Sequence, residues 1–270
     1  MTRNSAHERG AHLEEATIAR HDADAGGPPD LLAAKQELRE RIWATLSERG
    51  HARFPGARNR IPNVTGAERA AERLRDTDLW RNARTLKCNP DSAQWPVRQR
   101  ALEDGKTVYM AVPRLAGDDP FFLLDPDDLG DRTPRQASSI KGASAAGRTV
   151  AVGDLEPVDL VVAGCVAVSP DGSRLGKGGG FSDLEFAVAF EAGLVAEDTP
   201  VVTTVHEDQI VDDGEIPTVD HDVHLDLIVT AERTITCRRA PPHPAHVVWD
   251  ELTEAKIAAI PLLATLRERR

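Results

Sequence analysis

Between Leu160 and Glu185 the chain reads as an apolar strand, a glycine-rich loop and an apolar helix, and this succession constrains the fold more than any other segment. Leu160-Val161-Val162 opens an apolar run that reaches Val168 with one break at Gly164. Near-continuous Val/Ile/Leu runs are strands buried on both faces, which happens when helices cover both sides of a parallel sheet. A second run, Leu227-Ile228-Val229, and shorter ones at residues 85–88, 107–112 and 201–205 alternate with helical patterns. The chain is therefore predicted to be an α/β protein with a mainly parallel sheet flanked by helices.

The helical patterns have their own punctuation. Leu31, Leu38, Ile42 and Leu46 form one stripe, with Asp30 as the expected N-cap and Gly50 as the stop. Thr65-Gly66-Ala67-Glu68 spells a capping box ahead of Ala70, Ala71 and Leu74. Residues 181–194 carry the apolar helix after the glycines. Residues 125–147 are rich in Asp, Pro, Ser and Gly and read as a long loop, with the composition of a lid.

A chain of 270 residues with a 40% hydrophobic share has enough material for a sizeable core. No apolar run approaches the roughly 20 residues that span a bilayer, so no membrane association is expected. Residues 1–30 are polar, end in Gly26-Gly27-Pro28-Pro29 and lack the apolar stretch of a secretion signal. They read as a disordered tail before a domain over residues 31–270, in a cytoplasmic protein. Cys88, Cys165 and Cys237 are odd in number and far apart, which indicates neither a disulfide framework nor a zinc ribbon. The net charge of −11 argues against nucleic acid as a partner. That acidity is local: between Gly178 and Glu232 there are fourteen Asp+Glu and no Lys or Arg, whereas residues 35–114 hold seventeen Lys+Arg against ten Asp+Glu.

The loop between strand and helix holds Gly176, Gly178, Gly179 and Gly180, with Arg174 and Lys177 among them. Glycines let the backbone approach an anion, the helix that follows offers its positive end, and the two cations add full charges. Phosphate is the natural guest; a plain surface loop is the alternative reading. A Walker A loop is one spacer short here, and a dinucleotide fingerprint would need glycine where Phe181 sits. His206, His221, His224 and Cys237 invite a metal reading. His221 and His224 would share a helix face, but their segment runs into a strand, which sets them on opposite sides. Tyr109, the only tyrosine, lies in an expected strand and reads as sheet packing.

The sequence 172–183, GSRLGKGGGFSD, resembles the signature of the 5-formyltetrahydrofolate cyclo-ligase family, commonly G-x-R-L-G-x-G-x-G-Y-Y-D. Lys35-Gln36-Glu37-Leu38-Arg39 is similar to the family's K-x-x-L-R, Gly105-Lys106-Thr107-Val108 to its G-K-x-V, and residues 221–230 to its H-D-x-x-x-D-x-I-x-T. Residues 89–98 and 176–185 look closer to the divergent methenyltetrahydrofolate synthetase domain-containing branch. Phe181-Ser182 stands where the family commonly has Tyr-Tyr, and Asp91 where it has a substrate-contacting Glu.

The resemblance implies a single three-layer domain and an ATP- and Mg2+-dependent ligase acting on reduced folate. In that chemistry the formyl oxygen of 5-formyltetrahydrofolate attacks the γ-phosphate, and phosphate leaves as N10 closes the ring to 5,10-methenyltetrahydrofolate. Phosphoryl transfer of this kind depends on positioning and charge neutralisation. By resemblance Lys35, Arg39, Arg174, Gly176, Lys177, Gly178, Gly179 and Gly180 would hold ATP phosphates, Asp91 and Phe181 the pterin, and Asp183 the Mg2+. Lys35 and Arg39 are four apart and share a helix face, where a solvated face with Glu37 and Glu40 is the alternative. Two further readings stay open: a phosphate-ligand or nucleotide-binding regulatory protein without turnover, and an ATP-dependent enzyme on another N-formyl substrate.

Overall fold

The computed structural model describes residues 28–112, 119–146, 148–178, 181–238, 242–243 and 246–268. Most of the expected N-terminal tail, and Gly179 and Gly180 of the glycine loop, lie outside the described residues. The helices are α1 (Pro29–Glu48), α2 (Ala67–Arg75), α3 (Asp78–Asn82), α4 (Trp95–Glu103), α5 (Pro134–Ala137), α6 (Ile140–Ala146), α7 (Phe181–Glu191), α8 (Glu254–Ala259) and α9 (Pro261–Glu268). The strands are β1 (Thr85–Cys88), β2 (Thr107–Ala111), β3 (Phe121–Leu124), β4 (Thr149–Val150), β5 (Leu160–Val162), β6 (Ala167–Val168), β7 (Arg174–Leu175), β8 (Val201–Thr204), β9 (Leu227–Val229) and β10 (Thr234–Thr236).

Eight strands form one sheet in the order β10-β9-β8-β5-β1-β2-β3-β4, and β6 and β7 form a separate antiparallel pair. The five central strands, β9-β8-β5-β1-β2, are parallel to one another, while β10, β3 and β4 join the edges antiparallel. The expected mainly parallel sheet is thus present, with antiparallel margins. Leu86, Cys88, Leu160, Val162 and Val202 pack on one face against Ala71 and Leu74 of α2 and Val97, Ala101 and Leu102 of α4. Tyr109, Val161, Val201 and Ile228 pack on the other against Leu184, Phe186 and Val188 of α7, Ile257 of α8, Leu263 of α9 and Ile260 between those two helices. Successive side chains of a strand point to opposite faces, which is how one sheet feeds both cores. Tyr109 is buried at the sheet, as expected, and its hydroxyl accepts the Glu156 N–H at 3.1 Å. A third cluster joins Leu38, Ile42, Trp43 and Leu46 of α1 to Ala167 and Leu175 of the β6-β7 pair and to Val166 just before it. Among the described residues no helix is long and apolar enough to cross a membrane.

Three local expectations need correction. Helix α1 begins at Pro29, with Pro28 rather than Asp30 at the N-cap position and no side-chain cap. Proline at the first helical position has no N–H to leave unsatisfied and sets φ for the helix, and Asp30 instead complements the positive helix end. The Thr65 box does not form, because α2 starts after Gly66 at φ +81° and the Thr65 hydroxyl faces His51 Nδ1 at 3.3 Å. Residues 125–147 are not a continuous loop but contain α5 and α6. Thr133 and Gln136 form a capping box around α5, and Ala137 and Ala143 enter the core beside β3. The signal was present as Thr-Pro-x-Gln, hidden by the surrounding turn-rich composition.

Candidate active site

Ligands of open parallel sheets bind beyond the carboxyl ends of the strands, where successive connections leave in opposite directions along the sheet. That point here lies between β1 and β5, since the chain passes from β1 to β2 on one side and from β5 to β8 on the other. Asn89, Pro90 and Asp91 follow β1, and Ala163 and Gly164 follow β5. Asn89 Oδ1 accepts the Gly164 N–H at 3.0 Å and ties the two strand ends together. A Cβ on Gly164 would stand 2.8 Å from Asp91 Oδ2 and 3.1 Å from Ile61, so a side chain there would push the Asp91 carboxylate from its place.

Beneath this crevice lies a buried polar network. Lys87, in the middle strand of the sheet, points toward α7 and meets Glu185 at 2.6 Å, both side chains being buried. Asn89 Nδ2 donates to the same Glu185 oxygen at 3.1 Å. A buried charge is tolerated only when paired and hydrogen-bonded, and this pair has both. Arg98 of α4 closes the network from the other face: its guanidinium donates to the carbonyls of Asn89 (2.6 Å), Asp91 (3.1 Å) and Ser138 (2.9 Å). Burial lowers the Arg98 pKa to about 10, which still leaves it charged at neutral pH. Thr203 and Thr204 at the end of β8 donate to Ala163 O and Gln94 Oε1 at 2.7 and 3.0 Å.

Above that floor sit the residues expected from the sequence. Lys177 Nζ is 3.8 Å from Asp91 Oδ1, with half of its side chain exposed (51%). Burial raises the Asp91 pKa, and the nearby Lys177 and Arg98 cations oppose the shift. Arg39 is buried and donates from Nε to Gly176 O at 2.9 Å, while Lys35, one turn earlier, bonds Asp222 at 2.9 Å. The shared helix face of Lys35 and Arg39 is thus not a solvated one; it docks on the glycine loop and on the segment before β9. Gly178 takes φ +103°, a backbone state that its neighbours with side chains would resist.

Arg174 and Asp183 have a different setting from the other expected residues. Arg174 is buried, bonds Asp183 Oδ1 and donates from Nε to Val223 O at 2.8 Å. Asp183 Oδ1 also accepts the Val223 N–H at 3.0 Å. These bonds lock the start of α7 to the segment 221–225. Phe181 opens α7.

Lys87, Asn89, Arg98, Gly164 and Glu185 were not anticipated. The available signals were a lysine inside the buried strand Thr85-Leu86-Lys87-Cys88 and a glutamate inside the otherwise apolar Leu184–Val188 stretch, two charges that each require a hidden partner. Lys106, of the Gly-Lys motif, precedes β2 and therefore lies at the opposite end of the sheet, where its ammonium caps Ala83 O at 2.6 Å. Its role there is structural.

The chain as a whole is similar to known proteins. The model of the 5-formyltetrahydrofolate cyclo-ligase family matches residues 32–231. Methenyltetrahydrofolate synthase domain-containing proteins of Bos taurus and Mus musculus are 38% and 39% identical over 242 and 237 residues, covering 89% and 87% of the chain. The chain spans 64% of the length of each of these relatives. Among solved structures, the Aquifex aeolicus 5,10-methenyltetrahydrofolate synthetase aligns with TM-score 0.48 at 19% identity, over 76% of this chain and 94% of that one. The Mycoplasma pneumoniae 5,10-methenyltetrahydrofolate synthetase aligns with TM-score 0.42 at 14% identity, over 74% and 98%.

Proposed function

Because the chain belongs to the 5-formyltetrahydrofolate cyclo-ligase family, we propose that residues 31–270 act as one catalytic domain that closes 5-formyltetrahydrofolate to 5,10-methenyltetrahydrofolate, with ATP as co-substrate and ADP and phosphate as products. The observation that carries this reading is the convergence of three distant segments on one crevice: Lys35 and Arg39, the loop 176–178, and Asp91. A half-exposed ammonium, a second one on α1, glycine backbone and a helix start together have the donor chemistry of a polyphosphate cradle.

In this reading Lys177 neutralises the phosphates, Lys35 joins it by exchanging its partner Asp222 for them, and Arg39 fixes α1 against the loop through Gly176. Arg174 acts one step back, by anchoring Asp183 and the segment before β9. Asp91 accepts the pterin amide edge; its shorter arm, compared with Glu, is matched by the close approach to Gly164. Phe181 offers a stacking face in place of the usual tyrosine. The formyl oxygen attacks the γ-phosphorus as the bond to ADP breaks; N10 then attacks the formyl carbon and loses its proton as phosphate departs. A Mg2+ ion fits Asp183 only through Oδ2, since both of its described hydrogen bonds fall on Oδ1. When bound it would screen phosphate charge.

The test is release of ADP that depends on 5-formyltetrahydrofolate, with the methenyl product followed by its absorbance. Turnover supports the assignment. Nucleotide binding without turnover would replace it with the regulatory reading, which the Phe181-Ser182 pair favours.

A further inference from the structure

At the far end of α1 from Lys35, a second group of side chains has no part in the proposed reaction. Gly50 at φ +70° ends the helix and turns the chain so that His51 faces His206, the residue that caps the turn Glu207–Gln209 after β8. The two imidazoles stack with centroids 4.2 Å apart. Between their edges lies Asp208 Oδ2, 3.6 Å from His51 Nε2 and 3.7 Å from His206 Nδ1. One donor atom from each of the three residues falls within 4.8 Å of the others. Asp208 Oδ2 is buried and has no hydrogen-bond partner among the described residues, while Oδ1 accepts Arg49 at 2.6 Å. A buried carboxylate oxygen without a donor is costly, and its natural complement is a cation.

We propose that His51, His206 and Asp208 bind a divalent transition-metal ion of the zinc class, through two imidazole nitrogens and one carboxylate oxygen, with the fourth position left to water. The donor set is the borderline one that such ions take. Bond lengths near 2.0–2.1 Å place tetrahedral ligand atoms about 3.4 Å apart, so the separations at Asp208 Oδ2 need to shrink only slightly, while the stacked rings must turn to aim both nitrogens at one ion. His51 is already oriented: its Nδ1 faces the Thr65 hydroxyl at 3.3 Å, which leaves Nε2 to the metal, the usual outer-shell arrangement. His206 Nδ1 now accepts the Asp208 N–H at 3.1 Å, and the metal displaces that single bond. The side chain of His51 is about a third exposed (35%), which provides an entry path. Arg49 opposes a cation, but it occupies the other carboxylate oxygen and is itself mostly exposed. The ion joins residues 51 and 206, far apart in the chain, and staples the C-terminal end of the helix that carries Lys35 and Arg39.

The full chain, stripped of metal by a chelator, is titrated with Co2+ and followed by its visible absorption, then displaced with Zn2+. Because His7, His12 and His21 offer a competing tail site, a triple His→Gln variant at those positions is measured alongside. The wild type and the tail variant should bind a single ion at micromolar concentration, give the intense bands of four-coordinate Co2+ and melt at higher temperature with Zn2+. His51→Gln and Asp208→Asn should each weaken binding by more than the roughly 10–100-fold that loss of an outer-shell partner costs. Metal-free melting of each variant establishes that it folds, and Thr65→Val, which keeps all three ligands, should weaken binding about tenfold. Absence of binding at micromolar metal, undiminished binding by His51→Gln, or loss of binding in the tail variant would each overturn the site.

Discussion

The two layers of the candidate site are built on opposite terms. In the floor, Lys87 and Glu185 meet at 2.6 Å with Asn89 bonded to the same carboxylate, all three out of water. In the roof, Lys177 stands 3.8 Å from Asp91 with half its side chain in solvent. Both layers pair a lysine with a carboxylate at the same end of the sheet. The first pair is satisfied within the protein, and its charges hold the strand ends in place. The second is loosely matched, so its ammonium keeps charge for an incoming anion. Burial and satisfaction, rather than residue type, separate a structural ion pair from a ligand-facing one.

That contrast can be broken from its strongest side first. Lys87→Met leaves Glu185 buried without its cation and should cost about 3–5 kcal/mol in denaturant unfolding. Pairing it with Glu185→Leu should recover most of that loss, since a well-packed apolar pair is often neutral relative to a buried ion pair. Arg98→Leu strips the carbonyls of Asn89, Pro90, Asp91 and Ser138 of their donor and should cost about 2–3 kcal/mol by the same measurement. Lys177→Ala should leave stability within about 0.5 kcal/mol, as substitutions at exposed positions do, and should weaken ATP binding about tenfold or more in calorimetry, the loss of one charge-assisted contact.

The smallest effect is one of pH. Burial raises the Asp91 pKa in the folded chain. The folded state therefore holds that proton more tightly than the unfolded one, whose carboxyl titrates near pH 3.9. The stability this contributes is complete below that unfolded value and is lost as pH rises through the raised folded one. Asp91→Asn should accordingly be more stable than wild type at neutral pH, with the advantage vanishing in acid, as read from unfolding midpoints across pH. An advantage independent of pH would mean that burial does not tax this carboxylate.

The parts of the fold that were legible in the sequence are those where one physical signal acts alone. β1, β2, β5, β8 and β9 follow from apolar runs, because both faces of a parallel sheet are covered. β3, four residues after a turn-rich stretch, and the short α5 and α6 were hidden because local composition outweighed a single capping box. In the site, Lys35, Arg39, Lys177 and Asp91 were marked by helical spacing, glycine context or resemblance. Lys87 and Glu185 were not, because their meaning lies in a contact across 98 positions of chain. His51 and His206 are separated still further, and no local pattern joins His206 to the residue that it stacks on.

The central claim, that the loop roof and not the buried floor receives the nucleotide, is tested most directly by the thermal shift that ATP with Mg2+ produces in wild type and in Lys177→Ala. A ligand that binds only the folded chain raises its melting temperature by an amount that grows with the logarithm of ligand concentration over Kd. The account predicts a clear upward shift for wild type, and for Lys177→Ala an unchanged melting temperature without nucleotide and a clearly smaller shift with it at the same ATP concentration. An equal shift in both proteins would contradict it.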